Sequence, residues 1–405
     1  MESSDSGSLH SLRELNRRRI VDALRERGTA SRAELARATG LSRSTVSTIV
    51  ADLMKAGLVS EKGGAPGVAH GEQGGRPPVP LSLNKSAGVA LGVDFGHTHL
   101  RVAVADLSHA VLAEAGRELD VDHSAEEGLD AAAGLVDAVL AEADVDRDCV
   151  LGVGMGVPGP ISSATGSVGS SSILPGWVGV DAAAEMERRL RFPVHVENDA
   201  NLGALAEFVW GAGRGYSELI YIKLSSGVGA GLLLDGRLYR GSGGTAGEIG
   251  HTPARHGDAV CRCGARGCLE TVASARSIAE LVGASRGEDV SRARLLELIA
   301  SSDPAALRLI GDAGREIGIS IANLCNVINP GSVIVGGELS GAGDAITDPI
   351  TESIRRYAIP SAAEQVSVVA GVLGERAELL GALALVLHAS DRFVAAPAEE
   401  QGVAA

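Results

Sequence analysis

One histidine and three cysteines lie close enough in the sequence to bind a single metal ion. His251 precedes the segment CRCGARGCLE, which contains Cys261, Cys263 and Cys268. One imidazole and three thiolates make the four-ligand tetrahedral set of a structural zinc, and the glycines between the cysteines allow a short knuckle to fold around the ion. Because no coordination position stays open, the spacing predicts a structural zinc and disfavours a catalytic one. The alternative interpretation is a group of thiols without metal.

A second polar group stands where a predicted strand gives way to a predicted helix. The strand PVHV is followed by Glu197, Asn198 and Asp199, and helical spacing begins at residue 200. At such a strand end Asp199 is able to orient and deprotonate a sugar hydroxyl, while Asn198 hydrogen-bonds neighbouring groups. The alternative role for Asp199 is that of a helix N-cap, which stabilises the first turn without any ligand.

Three predicted strands end in glycine turns that could approach phosphate groups. In the first turn, backbone amides would meet the phosphate and a carboxylate would hold hydrated magnesium. The turns contain Asp94, Gly96 and Thr98, then Gly227, Gly229 and Gly231, and finally Gly336 and Gly337. The second turn lacks the Gly-Lys-Ser/Thr ending of a Walker motif. Three such strand ends predict a cleft for a nucleotide, although the first turn alone is also typical of an ordinary hairpin.

Alternating strands and helices must position these residues. Beyond residue 86, apolar strand-like runs alternate with helical stretches at 181–191, 200–210, 274–283, 305–326 and 376–388. This alternation is typical of an α/β body. We expect two lobes, one formed by residues 86–199 and the other by residues 200–375, with a helix at 376–390 that returns to the first lobe.

The first 85 residues have a different pattern, in which three short helices precede two strands. Ser31 and Glu34 predict a capping box, and Gly40 lies in the turn before the third helix. Small polar and basic residues on that helix suit the major groove of DNA: Ser42, Arg43, Ser44, Thr45 and Ser47. Arg76, in the Gly/Pro-rich tip between the strands, is predicted to reach an adjacent minor groove as part of a wing. The alternative is a protein-docking module.

Charge and composition favour a DNA-binding protein with an acidic body. The 405-residue chain has a formal net charge of -15, yet residues 1–85 hold 13 Lys+Arg and 9 Asp+Glu, a net +4 that leaves -19 for the rest. Two Trp, four Tyr and four Phe are too few for stacking on single-stranded nucleic acid. No apolar run approaches the roughly 18 residues of a membrane span. The N-terminus lacks the features of a secretory signal, so we expect a cytoplasmic location and no membrane partner.

Taken together, these motifs resemble the ROK family, which groups repressors and sugar kinases. The resemblance covers residues 11 to about 390: LSSGVGAGL through GTAGEIGH is similar to the family's glycine signature, and CRCGARGCLE is similar to its zinc knuckle. It implies a two-lobed, actin-like ATPase body of the hexokinase and Hsp70 type, and an N-terminal winged helix-turn-helix that marks the regulator branch. It also implies sugar-binding roles for Asn198, Asp199, Glu248, His251 and Glu270, with Asp199 as the base in a kinase.

The first phosphate turn departs from the pattern of the family's kinases. His97 stands where those enzymes have a second glycine, and His99 stands where they have a lysine. An imidazole where the backbone should approach phosphate disfavours binding of ATP and magnesium. Ile173 replaces an asparagine that many members place near the sugar, which indicates an atypical ligand.

The sequence therefore predicts a sugar-responsive transcriptional regulator, most often a repressor in this family, rather than an enzyme. We expect it to bind a double-stranded DNA operator as a homodimer or homotetramer and to bind a sugar or sugar derivative between its lobes. One alternative is an active ATP-dependent, glucokinase-like sugar kinase that also has a DNA-binding domain. A second is a body that serves for dimerisation and ignores ligands.

Overall fold

The computed structural model describes residues 16–17, 19–55, 57–61, 79–84, 88–162, 166–168 and 173–393. Arg76 and the rest of the predicted wing tip lie outside these residues. The N-terminal module contains α1 (19–27), α2 (Arg32–Thr39), α3 (Arg43–Lys55), β1 (Val59–Glu61) and β2 (Leu81–Leu83). The two strands pair antiparallel, which confirms the predicted order of three helices followed by a strand pair.

Local signals in the sequence explain how this module folds. The Ser31 side chain accepts a hydrogen bond from the Glu34 amide, and the Glu34 carboxylate accepts one from the Ser31 amide, so the predicted capping box is confirmed. Gly40 ends α2 in the left-handed conformation that a glycine adopts at low cost. One face of α3 is buried through Val46 and Leu53, and the opposite face is left to solvent.

The first lobe is built on a five-stranded mixed sheet in the order β5-β4-β3-β6-β7. Its strands are β3 (Val89–Phe95), β4 (His99–Asp106), β5 (Val111–Glu118), β6 (Val150–Val157) and β7 (Val194–Asn198). The helices α4 (Ala125–Glu142) and α5 (Ala182–Leu190) cover one face of this sheet. On β3, Leu91 and Val93 point to that face while Ala90 points to the other, as the alternation of a strand requires.

The second lobe repeats the strand order with a sheet arranged β10-β9-β8-β11-β12. Its strands are β8 (Leu219–Leu224), β9 (Val228–Leu234), β10 (Arg237–Leu238), β11 (Ser332–Gly336) and β12 (Ser367–Ala370). Its helices are α7 (Glu270–Ala273), α8 (Ala275–Arg286), α9 (Arg292–Ala300), α10 (Pro304–Ile328), α11 (Asp344–Tyr357) and α12 (Pro360–Ala363). The expected two-lobed α/β body is thereby confirmed, while the predicted limits at residues 85, 199 and 375 stay a prediction. No helix in the described ranges has the length and apolar character needed to span a bilayer.

Two helices, α6 (Asp199–Trp210) and α13 (Ala377–Phe393), pack against each other between the sheets. Glycines make this close packing possible. A methyl group at Gly154 of β6 would overlap the Ala382 carbonyl of α13, and one at Gly381 of α13 would overlap the Leu202 carbonyl of α6. The returning helix predicted at 376–390 is therefore seated on the first sheet at backbone contact distance.

The N-terminal module rests on the first lobe. The Arg25 side chain donates a hydrogen bond to the Leu107 carbonyl oxygen at 3.0 Å, and Arg214 pairs with Glu26 at 2.9 Å. Leu58, just before β1, packs against the apolar cluster that α13 forms with β3 and β4. The module therefore touches both the sheet and the segment that leaves α6.

We predict that Gly154→Ala lowers the free energy of unfolding by about 3 kcal/mol, because the added methyl group meets backbone that has no room to move. Gly134→Ala is the control, since that glycine lies on the exposed side of α4 with open space around it. The control should instead raise the free energy of unfolding by about 0.5–1 kcal/mol. Urea denaturation of both variants checks the pair, and equal effects would contradict the packing described above.

Candidate functional site

A cleft of about 330 Å³ lies between the lobes. Strand ends and loops from both sheets line this cleft. The sequence predicts a cleft at the same strand ends, which carry the polar residues and the glycine turns. Residues that line it include Asn198, Asp199, Glu248, His251, Glu270 and Ile173, together with Gly96, Thr98, Gly227, Gly229 and Gly337. The structure thus brings the five expected sugar-binding residues to one place, although their roles toward a sugar stay a prediction.

Asn198 is the N-cap of α6, and its amide group is fully engaged. Its Oδ1 accepts hydrogen bonds from the backbone amides of Ala200 and Asn201, and its Nδ2 donates to the Gly159 carbonyl at 2.9 Å and to Asp199 Oδ1 at 3.1 Å. Asn198 therefore fixes the start of α6 and the neighbouring loop. Asp199 follows it in the first turn, so the N-cap is Asn198, and Asp199 does not take that alternative role.

Lys223 holds Asp199 by an ion pair that crosses between the lobes. Its ammonium lies 2.9 Å from Asp199 Oδ2 and 3.0 Å from Glu378 Oε1. Burial alone would lower the pKa of Lys223, but the two carboxylates raise that pKa well above its ordinary value. The Oδ1 atom of Asp199 accepts hydrogen bonds from the Ala200 amide and the Asn198 side chain. The carboxylate is thus left with about one of its four lone-pair positions for a ligand.

Two further carboxylates face the cleft in contrasting states. Glu270 is buried and accepts two hydrogen bonds from Arg262, at 2.8 and 3.0 Å, and one from the Val228 amide at 3.2 Å. Glu248 accepts no hydrogen bond from the described residues and lies 3.9 Å from Nε2 of His251. Burial, followed by the charges of Asp199 and Glu270, raises the pKa of Glu248 to about 7. Of these two carboxyl groups, Glu248 is therefore the more available to a ligand.

His251 and the three cysteines meet beside this cleft. His251 Nδ1 lies 3.6 Å from Cys261 Sγ, and the Sγ atoms of Cys263 and Cys268 are 3.7 Å apart. The four ligand atoms all lie within 4.8 Å of one another, so the group could hold a metal ion. The other ring nitrogen, Nε2, is directed toward Glu248. One imidazole is thus shared by the thiol cluster and the cleft.

The glycines expected to bind phosphate have packing roles as well. A methyl group at Gly229 would lie 3.1 Å from the Ala200 side chain, and one at Gly231 would lie 2.5 Å from Ala204, both on α6. Gly336 leaves room for the buried ring of Tyr221, and Gly337 has a φ of 76° against the Leu224 backbone. Their proximity to phosphate stays a prediction.

The first phosphate turn is occupied by a histidine side chain. Asp94 is buried, and its carboxylate lies 3.1 Å from Nε2 of His99. The His99 ring lies so close over Gly96 that a methyl group there would overlap it. His97 instead faces Asp122 at 2.7 Å. The His99 imidazole thus takes the space next to the turn backbone, where the sequence predicts that a phosphate would approach.

The expected DNA-binding face is exposed on α3. Ser42, Arg43, Ser44 and Ser47 are exposed, and Thr45 is half-buried. The Ser42 hydroxyl accepts a hydrogen bond from the Thr45 amide at 3.1 Å, which caps the helix. Small hydroxyl side chains around one arginine allow the start of the helix to enter a major groove closely.

Comparisons with known proteins agree with this geometry. The model of the ROK family matches residues 90–389, and the model of a winged helix-turn-helix DNA-binding domain matches residues 13–60. The chain belongs to the ROK family. The xylose repressor of Caldicellulosiruptor bescii is 29% identical over 390 residues, which cover 93% of this chain and 96% of that protein. With its DNA-binding domain and this full-length similarity, the chain is a ROK-family transcriptional regulator.

Two solved structures of the ROK family extend the comparison. A ROK-family transcriptional regulator, described as a homologue of the Escherichia coli Mlc protein, has a TM-score of 0.77 and 26% identity and covers 95% of this chain and 98% of its own. A Streptomyces griseus ROK glucokinase in complex with glucose and AMPPNP has a TM-score of 0.64 and 30% identity and covers 74% of this chain and 99% of its own. The actin-like architecture expected from the sequence is confirmed.

Sequence reasoning missed Lys223, Arg262 and Glu378. Lys223 carried the clearest signal, because it interrupts the strand LIYIKL. The neighbours Ile220 and Ile222 pack on one side of that strand and Tyr221 on the other. A charge in a strand that is buried on both faces needs a partner, and a partner in a cleft indicates a functional site.

We predict that Glu248→Gln flattens the dependence of stability on pH. Between pH 4.5, the ordinary pKa of a glutamate side chain, and about pH 7, the folded protein holds a proton that the unfolded chain has released. Wild-type stability should therefore fall as pH rises through this window. The variant should gain stability over the wild type at about pH 8 and little at about pH 5, measured by urea denaturation. A constant difference between the two proteins at both pH values would contradict the raised pKa.

Proposed function

We propose that this regulator is a repressor controlled by an unphosphorylated sugar that binds between the lobes, and that its body does not phosphorylate that sugar. The observation that carries the proposal is the ion pair of Lys223 with Asp199. A catalytic base must accept the proton of the sugar hydroxyl. Here an ammonium ion already donates to Asp199 Oδ2 at 2.9 Å, so the carboxylate is set up to bind a hydroxyl rather than to deprotonate it.

The contacts of His99 in the first glycine turn also support a body that binds a sugar without phosphorylating it. The His99 imidazole lies over Gly96 and pairs with Asp94, the carboxylate that would hold magnesium in a kinase. ATP would have to displace this ring and break its contact with Asp94. The rival function, an active sugar kinase, is favoured by the presence of Asp199. However, Asp199 is paired with Lys223, and Asp94 is paired with His99.

The charges of the cleft support an uncharged sugar as the effector. Each described Lys, Arg or His of the lining has a carboxylate partner within 4.0 Å: His97, His99, Arg101, Lys223, His251, Arg262 and Arg292. A sugar phosphate would need an unpaired cation to offset its desolvation. Glu248 instead offers an acceptor to a hydroxyl group. The relatives named xylose repressor make D-xylose the first sugar to test.

We further propose that the His251 and cysteine cluster holds a structural zinc ion. Zinc–sulfur bonds of about 2.3 Å in a tetrahedron place two sulfurs about 3.8 Å apart. The 3.7 Å between Cys263 and Cys268 fits that spacing. When bound, the metal would fix the His251 ring and so shape the cleft. His251 would then present Nε2 to the sugar while Nδ1 faces the metal.

The function is tested in two steps, with DNA and then with sugar. Duplexes selected from a random pool by the purified protein supply an operator, and its affinity is measured with and without D-xylose and D-glucose. Sugar should weaken operator binding by about 5- to 150-fold, because the two α3 helices of a dimer would change their spacing. Glucose 6-phosphate should have no effect.

Variants separate this proposal from its rivals. Arg43→Ala should cost about 1–3 kcal/mol of specific DNA binding, whereas Arg237→Ala, an exposed arginine of the body, should cost little. Steady phosphorylation of a sugar by ATP that Asp199→Asn abolishes would establish the kinase instead. Operator binding that no sugar alters, with no heat of sugar binding in calorimetry, would favour the ligand-blind scaffold.

We predict that Cys263→Ser releases the metal and weakens sugar binding by about 10- to 100-fold, because the His251 ring loses its support. Mass spectrometry of the native protein should detect one zinc ion per chain in the wild type and none in the variant. Cys149→Ser, a half-buried cysteine outside the cluster, is the control and should keep the metal. A metal-free wild type with full sugar affinity would remove the zinc from the proposal.

A further inference from the structure

Two stretches of chain connect the two sheets, and both pass the C-terminal end of α6. The first crossover, residues 211–218, runs from α6 to β8. The second crossover, residues 371–376, runs from β12 to α13. A rotation of one lobe against the other has to be absorbed by these connections, because hinge motion is taken up by the few residues at element ends.

The carboxylate of Glu207 ties the two crossovers together. Glu207 is 1% exposed and lies in the last turn of α6. Its Oε2 accepts a hydrogen bond from the Ala212 amide at 2.8 Å, in the first crossover. Its Oε1 accepts one from the Leu373 amide at 3.0 Å, in the second. One buried side chain thus satisfies backbone groups in both connections, and these groups lie far apart in the sequence.

Both crossovers have glycines at the points where they approach this carboxylate. A methyl group at Gly211 would overlap Glu207 Oε2, and one at Gly371 would lie 2.7 Å from Oε1. A buried carboxylate is costly unless its oxygens accept hydrogen bonds, and close backbone approach supplies them here. The glycines and the glutamate therefore work as one arrangement.

The DNA-binding module rests at the same place. Leu58 of the module, Trp210 at the end of α6 and Leu373 of the second crossover all pack against one apolar cluster centred on α13. Arg214, in the first crossover, also pairs with Glu26 of α1 at 2.9 Å. Both partners are more than half exposed, so the pair adds little stability, but it places the crossover against the module.

We propose that Glu207 is the positioning residue that transmits lobe closure to the DNA-binding module. The Asn198 and Asp199 end of α6 borders the sugar cleft, and the Glu207 end holds the crossovers beneath the module. With both crossovers tied to α6, a sugar-driven rotation moves Leu373 and Arg214 together against Leu58 and Glu26. This inference rests on the proposed sugar-controlled DNA binding.

The test is Glu207→Gln in the full-length protein. The glutamine keeps the shape and one acceptor oxygen, but its amino group faces the N–H of either Ala212 or Leu373, so one tie is lost. The readout is the ratio of operator affinities without and with D-xylose, or with D-glucose if only that sugar acts on the wild type. We expect this ratio to fall at least about fivefold, while sugar alone still raises the melting temperature.

A second measurement checks that the fall in this ratio is a loss of coupling between the two binding sites. Because coupling is reciprocal, the operator's effect on sugar affinity should fall by the same factor as the sugar's effect on operator affinity. Glu187→Gln is the control, since the Glu187 carboxylate accepts a backbone hydrogen bond from Val194 at 3.0 Å wholly within the first lobe. The control should keep the wild-type ratio.

The outcomes separate this inference from the function beneath it. A wild-type protein whose operator binding ignores both sugars overturns the sugar-controlled function itself. A responsive wild type with an unchanged ratio in Glu207→Gln, or an equal loss in Glu187→Gln, overturns the role of Glu207 alone. If Glu207→Gln does not fold, Gly371→Ala presses a methyl group against the same carboxylate and should lower the ratio in its place. An unchanged ratio there would equally overturn the role.

Discussion

The ion pair of Lys223 with Asp199 and Glu378 is the contact on which the arrangement of the cleft depends. It joins a strand of the second lobe to the first turns of α6 and α13. Carboxylates are favoured at helix N-termini, and the buried ammonium offsets part of the cost of burying them. Removal of Lys223 would leave two carboxylates without their shared cation, which is far more costly than the ion pair is stabilising. The three residues therefore constrain one another, and with them the closure of the lobes.

The glycine signature of this chain is consistent with two different functions. Gly229 and Gly231 allow α6 to pack closely against β9, and Gly336 leaves space for the ring of Tyr221. These glycines are therefore needed for packing whether or not a nucleotide binds. In the proposed function, the side chains that oppose phosphoryl transfer are instead Lys223 and His99. A glycine pattern thus identifies the architecture, while our proposal of a regulator without kinase activity rests on charged side chains in the cleft.

Local patterns made much of the fold predictable from the sequence. Some signals act over only a few residues and can therefore be recognised in the sequence alone. They are the capping box of Ser31 and Glu34, the glycine at position 40, and the spacing of Cys261, Cys263 and Cys268. Helices α4 and α11 were not predicted, and α11 even contains Pro349. Packing of α11 against α10 stabilises a helix there against the local preference of proline.

The contacts of the cleft could not be predicted in the same way, because their partners come from distant parts of the chain. Nothing near Lys223 in the sequence indicates that Asp199 or Glu378 is its partner. The two backbone amides that donate hydrogen bonds to Glu207 come from different crossovers. Both sets of contacts meet on α6. Its 12 residues span about 18 Å, and the Asn198 cap leaves no spare donor or acceptor on that amide. In the proposed mechanism, a sugar at this end displaces α6 as a unit, because the cap holds the first turn of the helix. A displaced rigid helix carries the same movement to its far end, where the crossovers and the DNA-binding module meet.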